Sequence, residues 1–305
     1  MSFPVFKLPF LAMECVLHQI DDCDLIDISL CSKRCAKIIG SLSHMPTKMV
    51  IFISFGLKHI FLYRKDEEYF CCSTWEFEFV DMKKEQASNR KFNGVDMFCA
   101  KRPSKWRNQR QICWSSVQVG YREREDSNDV EMGAIASYLL GLFKKCKLHT
   151  VDIDFHNLQN NFKFENCFSF ISKFPIENLK LKRDSENSSA QTLYILKNCQ
   201  ILNTLVTETK SMDPESLLYL NTADIKMWFP NFNPFDFLDF VKKWKFSKNM
   251  GRIGSIYIFC KNKVITRKEL LDCESLNAKP WDSRKLGRIY RSVNLIVSKP
   301  NLGIQ

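Results

Sequence analysis

The pattern of apolar residues near the start of the chain predicts a helix. Apolar side chains recur there at three- and four-residue steps, which places them on one helical face. The residues that form this stripe are Phe10, Met13, Val16 or Leu17, and Ile20. Pro9 comes directly before the stripe, and its fixed φ and missing amide hydrogen suit the first position of a helix.

Two further short helices are predicted behind the first. Asp24 is placed to cap the second, in which Leu25 and Ile28 face inward. Ser32 is placed to cap the third, and Gly40 is predicted to stop it. Because three short helices cannot bury this much apolar surface by themselves, the pattern predicts that they meet a partner.

The next stretch, residues 49–125, alternates between apolar and polar positions in the manner of β-strands. Trp75, Phe77 and Phe79, for example, are separated by Glu76 and Glu78. A long helix is predicted to follow, with Asn128 and Glu131 as its capping box.

From residue 151 onward, short apolar strands alternate with helical stretches in units of about twenty to thirty residues. The strands are predicted around residues 151–155, 179–181, 205, 225–227 and 256–258. Two architectures fit: degenerate leucine-rich-repeat-like units, or a two-layer α/β domain with a non-repetitive sheet. Both predict parallel neighbouring strands with helices on one side. The predicted fold class is α+β, with a three-helix module at residues 3–45 and a mixed α/β domain of leucine-rich-repeat-like strand–helix units at residues 49–305.

The N-terminal module carries an ordered set of apolar and capping residues: Leu8-Pro9, Met13, Val16-Leu17, Ile20, Asp24-Leu25-Ile26, Ile28 and Cys31-Ser32. In this order and register the module resembles an F-box. The chain departs from the pattern at Leu11, where an acidic residue is usual, at Ala12, where Leu is usual, and at Cys35, where Trp or Phe is usual. The opening from Phe3 to Phe10 is also similar to a large family, expanded in nematodes, that carries a type-two F-box-associated domain. A helical hairpin that begins a larger domain is the alternative interpretation.

The resemblance implies a substrate-receptor subunit of an SCF-type cullin ubiquitin ligase, not an enzyme. Its F-box would bind a Skp-type linker protein, and through it a cullin, while the C-terminal domain binds a protein substrate. The linker-binding residues that the resemblance implies are Leu8, Pro9, Met13, Val16, Leu17, Ile20, Leu25, Ile28 and Ser32. No residues are assigned to the substrate.

Charge raises an alternative, a basic protein associated with nucleic acid. The whole chain carries +11 and residues 1–45 carry −1, so the remainder carries +12. Two segments resemble nucleic-acid contacts: the Gly-x-x-Gly motif at residues 251–254, and the cluster Lys101, Arg102, Lys105, Arg107 and Arg110 around Trp106. Because acidic residues such as Glu123 and Glu125 follow the cluster closely, we expect a charged loop and no specific nucleic acid.

Catalytic motifs are not apparent in the sequence. His149 and His156 flank a predicted strand that contains Asp152 and Asp154, but alternation places the two carboxylates on a solvated face. No apolar run is long enough to cross a bilayer. We expect no cofactor, no membrane contact, and a cytoplasmic or nuclear location.

Thirteen cysteines bear on metal binding and disulfides. Their number is odd and no Cys-x-x-Cys occurs, so buried free thiols are favoured over a zinc site at Cys31, Cys35 and His44.

We therefore expect all thirteen cysteines to titrate as free thiols in denaturant without reductant. Elemental analysis of the purified protein should find no stoichiometric zinc. One zinc per chain would instead support a site built from Cys31, Cys35 and His44.

Overall fold

The computed structural model describes residues 5–20, 22–43, 45–54, 57–64, 75–79, 87–102, 115–120, 129–157, 163–183, 188–208, 222, 224–229, 255–260 and 292–296. The chain divides into two units. The first comprises residues 1–150 and 159–174, and the second comprises residues 151–158 and 175–305. Within the described ranges, no helix has both the length and the apolar character needed to cross a membrane.

The helices of the first unit include the three predicted at the N-terminus. They are α1 (Phe10–Leu17), α2 (Asp22–Cys31), α3 (Lys33–Ser41), α4 (Asp129–Leu142) and α5 (Phe164–Ile171), preceded by a 3-10 turn at Val5–Lys7. Ser32 caps α3 as predicted, because its Oγ accepts a hydrogen bond of 3.1 Å from the Cys35 backbone amide. Pro9 is the N-cap of α1, one position earlier than predicted, and Asp24 lies inside α2 because this helix already begins at Asp22.

Gly40 was predicted to stop α3, and this prediction is wrong. The helix continues through it to Ser41. A Cβ at position 40 would collide with the backbone carbonyl oxygen of Leu142, the last residue of α4. The glycine is therefore required for a close approach between the backbones of α3 and α4, not for a left-handed helix end.

The sheet of the first unit has the strand order β1-β2-β3-β6-β5-β4. Its strands are β1 (Lys48–Ser54), β2 (Leu57–Tyr63), β3 (Trp75–Phe79), β4 (Ser88–Phe92), β5 (Val95–Arg102) and β6 (Ser115–Gly120). β3 and β6 are parallel, and the other pairs are antiparallel. The strand that follows α4, β7 (Lys147–Asp154), starts in this unit, where the Lys147 amide donates to the Thr47 carbonyl over 2.9 Å.

A row of apolar side chains crosses four strands of this sheet and forms its core. Ile51 lies opposite Ile60, Ile60 opposite Phe77, and Phe77 opposite Val117. All four side chains are at most 2% exposed. The alternation in the sequence predicts Phe77 and Phe79 on one side of β3, and both are buried.

The turn between β4 and β5 is formed by Asn93 and Gly94, with φ of 48° and 88°. Positive φ at both central residues belongs to the hairpin turn that Asn-Gly favours. The Asn93 side-chain amide also donates to the Ala134 carbonyl over 3.2 Å, which fixes the turn against α4.

The start of α4 is held by a buried ion pair. Asp129 is 1% exposed; its Oδ1 lies 3.5 Å from Lys58 Nζ, and its Oδ2 accepts a hydrogen bond of 2.6 Å from the Lys163 backbone amide. Burial lowers the pKa of Lys58, and the carboxylate of Asp129 opposes that shift. Glu131 lies in the first turn as predicted, while Asn128 lies outside the described residues.

The second unit contains a run of parallel strands. It receives the end of β7, followed by β8 (Ile176–Lys182), α6 (Ser188–Asn198), β9 (Ile201–Thr207), β10 (Asp224–Phe229), β11 (Ser255–Cys260) and β12 (Ser292–Ile296). β8 to β12 are neighbours in chain order, and each strand from β8 to β11 pairs in parallel with the next. The prediction of parallel neighbours is confirmed for these strands. Residue 155, predicted at the end of a strand, instead begins a 3-10 turn at Phe155–Asn157.

One face of this parallel sheet is apolar and buried. Leu179, Leu205 and Ile225 lie side by side across β8, β9 and β10, and each is 0% exposed. The backbone register continues through Ile256 and Val293. The structure is therefore a mixed α/β arrangement with N-terminal helices. The predicted domain boundary between residues 3–45 and 49–305 stays a prediction. The two units describe how the chain packs and do not test that boundary.

Two glycines of α4 give a matched test of its packing. A Cβ at Gly133 would lie 2.6 Å from the Cys167 carbonyl oxygen of α5, whereas a Cβ at Gly141 meets nothing within 4 Å. We expect Gly133→Ala to destabilise the protein by about 1–3 kcal/mol through overpacking. Gly141→Ala should leave stability unchanged or raise it by up to about 1 kcal/mol, because Ala favours helix. Thermal unfolding followed by circular dichroism checks both; equal midpoints for the two variants would contradict the close approach of α4 to α5.

Candidate functional site

Two polar contacts tie α3 to α1 and to the turn before it. The Ser43 backbone amide donates to Glu14 Oε1 over 2.9 Å, which links the end of α3 to α1. Arg34 Nη2 donates to the Phe6 carbonyl over 3.2 Å, which links α3 to the turn before α1. The helices therefore form one defined surface.

The nine predicted linker-binding residues fall into three classes of exposure. Met13, Leu17 and Leu25 are buried, at 6%, 1% and 0% exposure. The half-buried residues are Leu8, Val16, Ile20 and Ile28, and the exposed ones are Pro9 and Ser32. These three side chains are buried within the protein itself. Substituting them would therefore change linker binding only indirectly, by altering how the helices are positioned.

Two exposed apolar residues on α1 are absent from the predicted set. Phe10 is 48% exposed and Leu11 is 75% exposed. The sequence places Phe10 on the apolar stripe of α1, and Leu11 is one of the departures from the F-box pattern. A helical turn of 3.6 residues sets Leu11 about 200° from Met13, and this signal would have identified it. Together with the adjacent Pro9, these residues form what we call the α1 apolar patch: Pro9, Phe10 and Leu11.

The opposite side of the N-terminal helices packs on the first sheet. Arg90 Nη2 on β4 donates to Asp27 Oδ2 on α2 over 2.6 Å, and Lys101 Nζ on β5 donates to Asp24 Oδ2 over 2.9 Å. Burial raises the pKa of the Asp27 carboxyl, and Arg90 opposes the shift. Asp27 Oδ1 is buried and has no hydrogen-bond partner among the described residues. Because one oxygen of Asp27 lacks a hydrogen-bond partner, the Asp27–Arg90 pair orients α2 on β4 more than it stabilises the folded protein.

A neutral contact accompanies these ion pairs. The Ser29 hydroxyl donates to the Ile26 carbonyl over 2.6 Å, so the Tyr138 hydroxyl, 2.8 Å away on α4, donates to Ser29. The Tyr138 ring meets Phe92 of β4 edge-on, with ring centroids 5.3 Å apart. With the approach of Gly40 to Leu142, this contact attaches α2 and α3 to α4.

The acidic residues near the end of β7 are not a solvated face, and that prediction is wrong. Asp152 and Asp154 are 8% and 5% exposed. Lys182 Nζ lies 2.8 Å from Asp152, and Arg183 Nε lies 3.7 Å from Asp154, because β8 ends beside β7 and brings its cations there. His149 Nδ1 lies 2.9 Å from Thr150 Oγ1, while His156 is exposed. The arrangement is two neutralised ion pairs.

Cysteine burial is confirmed for some positions only. Cys99, Cys146, Cys167 and Cys199 are buried thiols. Burial raises the pKa of Cys99 to about 11 and that of Cys146 to about 12, which disfavours the thiolate that binds metal. Cys31 is exposed and Cys35 half-buried, so the prediction of burial is wrong there, at the surface end of α2 and the start of α3. The described residues include no group of three or more potential metal ligands, and His44 lies outside them.

The basic cluster is only partly described. Lys101 lies in the ion pair with Asp24, and Arg102 is the last residue of β5. The remaining members, Lys105, Arg107 and Arg110, lie outside the described residues, as do the glycines at 251 and 254. In the described part of the cluster, Lys101 is therefore paired with a carboxylate of α2.

Comparison with known proteins identifies the N-terminal helices. Residues 5–47 match the F-box domain. No curated protein and no solved structure matches the chain. The matched segment runs from the turn before α1 through α3 to the residue before β1, and so includes the α1 apolar patch and all nine predicted residues. The chain therefore carries an F-box domain at residues 5–47.

Proposed function

We propose that this protein is a substrate-receptor subunit of an SCF-type cullin ubiquitin ligase. The observation that carries the proposal is the F-box match at residues 5–47 on helices that expose the α1 apolar patch. F-box domains bind Skp-type linkers in SCF complexes. In this proposal the linker joins the chain to a cullin, and the chemistry of ubiquitin transfer belongs to other subunits. The protein itself supplies proximity between substrate and ligase and is not an enzyme.

The patch has the properties of a protein contact. Covering large, exposed apolar side chains with a partner removes them from water, and this lowers the free energy of the complex. In the described part of the chain, the exposed large hydrophobic residues are Phe10, Leu11 and Leu202, and two of the three are adjacent on α1. We propose that Phe10 and Leu11 extend the linker interface implied by Leu8 and Pro9.

We further propose that residues 49–305 form the substrate-binding part, a type-two F-box-associated domain with leucine-rich-repeat-like units. Support comes from the parallel order of β8 to β12 in chain sequence and from α6, which lies between β8 and β9. The proposed location is the cytoplasm or the nucleus. Association with nucleic acid is not favoured by the described part of the basic cluster, since Lys101 is paired with Asp24.

The linker interface is tested by removing exposed side chains. We expect Phe10→Ala with Leu11→Ala to weaken binding to a Skp-type linker by about 2 kcal/mol, or about thirtyfold. Leu8→Ala with Pro9→Ala should have an effect of similar size. Isothermal titration calorimetry with purified linker measures both.

Leu202→Ala is the matched control, since it removes a similarly exposed leucine from β9, far along the chain from the F-box. Its linker affinity should equal that of the unmodified protein. Because Phe10 and Leu11 are exposed, their removal should leave the melting temperature nearly unchanged. Wild-type affinity in the Phe10/Leu11 variant and in the Leu8/Pro9 variant, with both folded, would overturn the proposal.

A further inference from the structure

Charge is unevenly distributed over the F-box, although residues 1–45 together carry a net charge of only −1. The described carboxylates of this segment are used within the chain. Asp24 and Asp27 pair with basic residues of β5 and β4, and Glu14 accepts a hydrogen bond from the Ser43 backbone amide. The other two carboxylates lie outside the described side chains. Negative charge on the described part of the F-box is therefore bound by other groups of the protein.

The basic side chains of the same segment are all exposed. We call them the basic rim: Lys7, Lys33, Arg34 and Lys37. In the described part of the chain, none of the four forms an ion pair with a carboxylate. The net charge of the segment therefore conceals an outer surface that is positive.

The basic rim begins beside the α1 apolar patch. Arg34 Nη2 donates to the Phe6 carbonyl over 3.2 Å, which brings the start of α3 to the 3-10 turn that contains Lys7. Lys7 in turn precedes Pro9, the first residue of the patch, by two positions. One surface therefore combines exposed apolar side chains with unpaired positive charge.

On α3, the basic residues share one side of the helix. Lys37 lies four residues after Lys33 and three after Arg34, and residues at these spacings are neighbours on a helix surface. The buried Ile39 lies about 200° around the helix from Lys37. Because α3 contains no acidic residue, the side away from its buried residues carries positive charge only.

We infer that the linker surface that receives this F-box is acidic, with apolar side chains against the α1 apolar patch and carboxylates facing the basic rim. The inference rests on the proposed receptor role and specifies the partner surface for the same site. Exposed opposite charges around an apolar contact attract each other over long distances and speed the encounter of two proteins. The basic rim therefore acts mainly on the rate of association, and the patch acts mainly on the rate of dissociation.

A nucleic-acid backbone would also match the charge of the basic rim. The residue that favours a protein partner is Leu11, which is 75% exposed beside this charge. Proteins that hold single strands place aromatic side chains where bases can stack, and leucine has no ring for this. An apolar pocket on a protein surface can cover Leu11, whereas phosphates cannot.

The test measures binding of the full chain to a purified, immobilised Skp-type linker by surface plasmon resonance. Between about 0.1 M and 1 M NaCl, where the screening length falls from about 10 Å to about 3 Å, association should slow by about tenfold or more. Lys33→Glu with Lys37→Glu should slow association by about tenfold or more at 0.1 M NaCl and change dissociation by less than about threefold. At about 1 M NaCl the variant and the unmodified protein should associate at similar rates.

The matched control is Lys173→Glu with Lys197→Glu, which changes the net charge equally at two exposed positions outside residues 5–47. Its association rate should stay within about twofold of the unmodified protein. The variant with Phe10→Ala and Leu11→Ala should instead dissociate faster and keep its salt dependence. Melting temperatures verify that each variant is folded. If the Lys33/Lys37 variant is not, Lys33→Gln with Lys37→Gln should slow association by about threefold or more.

Three results would overturn the inference while linker binding persists. They are association that is insensitive to salt and to the Lys33/Lys37 change, equal slowing in the control variant, and tighter binding of a fluorescein-labelled single-stranded DNA that the Lys33/Lys37 change abolishes. Each leaves the receptor role standing. Absence of linker binding by the folded, unmodified protein overturns the receptor role, and this inference falls with it.

Discussion

The buried carboxylate of Asp129 is the interaction on which the first unit depends. Its two oxygens face Lys58 of β2 and the backbone amide of Lys163, just before α5, and so set where α4 begins. A buried charge is tolerated only with such partners, and breaking a buried pair commonly costs about 3–5 kcal/mol. Once its start is fixed, α4 presents Gly133 to α5 and accepts the Asn93 turn at Ala134.

The position of α4 in turn determines how the F-box is held. Tyr138 of α4 is hydrogen-bonded to Ser29 of α2, and the carbonyl group of Leu142 at the end of α4 lies close to Gly40 of α3. Asp24 and Asp27 add charged contacts to β5 and β4. The side of the F-box that faces the sheet is thereby used within the chain, and the α1 apolar patch is left on the outside. A partner bound at Phe10 and Leu11 would therefore have a defined orientation relative to the first sheet.

Features with local causes were predictable from the sequence. Ser32 caps α3 because its own side chain reaches three residues ahead, and the buried side of β3 follows from the alternation of Phe77 and Phe79 with Glu76 and Glu78. Features with distant causes were not. Asp27 and Arg90, which form an ion pair, are 63 residues apart in the sequence. The close approach of Gly40 to Leu142 likewise has no signal in the residues around Gly40. Burial of Asp152 likewise depends on Lys182 in the next strand. The Asn93–Gly94 turn was predictable and was overlooked, since Asn-Gly between strands is a strong hairpin signal. Leu11 of the α1 apolar patch was predictable, because helical spacing places it about 200° from Met13.

The close approach of Gly40 to Leu142 has a practical consequence for dissecting this protein. Cutting the chain after residue 47 would uncover, on one fragment, the surfaces of α2 and α3 that contact Tyr138 and Leu142 of α4. The other fragment would lose the helices that cover Tyr138 and pair with Arg90. Newly solvated apolar surface promotes aggregation and recruits chaperones. A truncated protein that fails to capture a partner could therefore simply be misfolded. One that captures many proteins could be binding them non-specifically. Single-residue changes at exposed positions are the more informative perturbation.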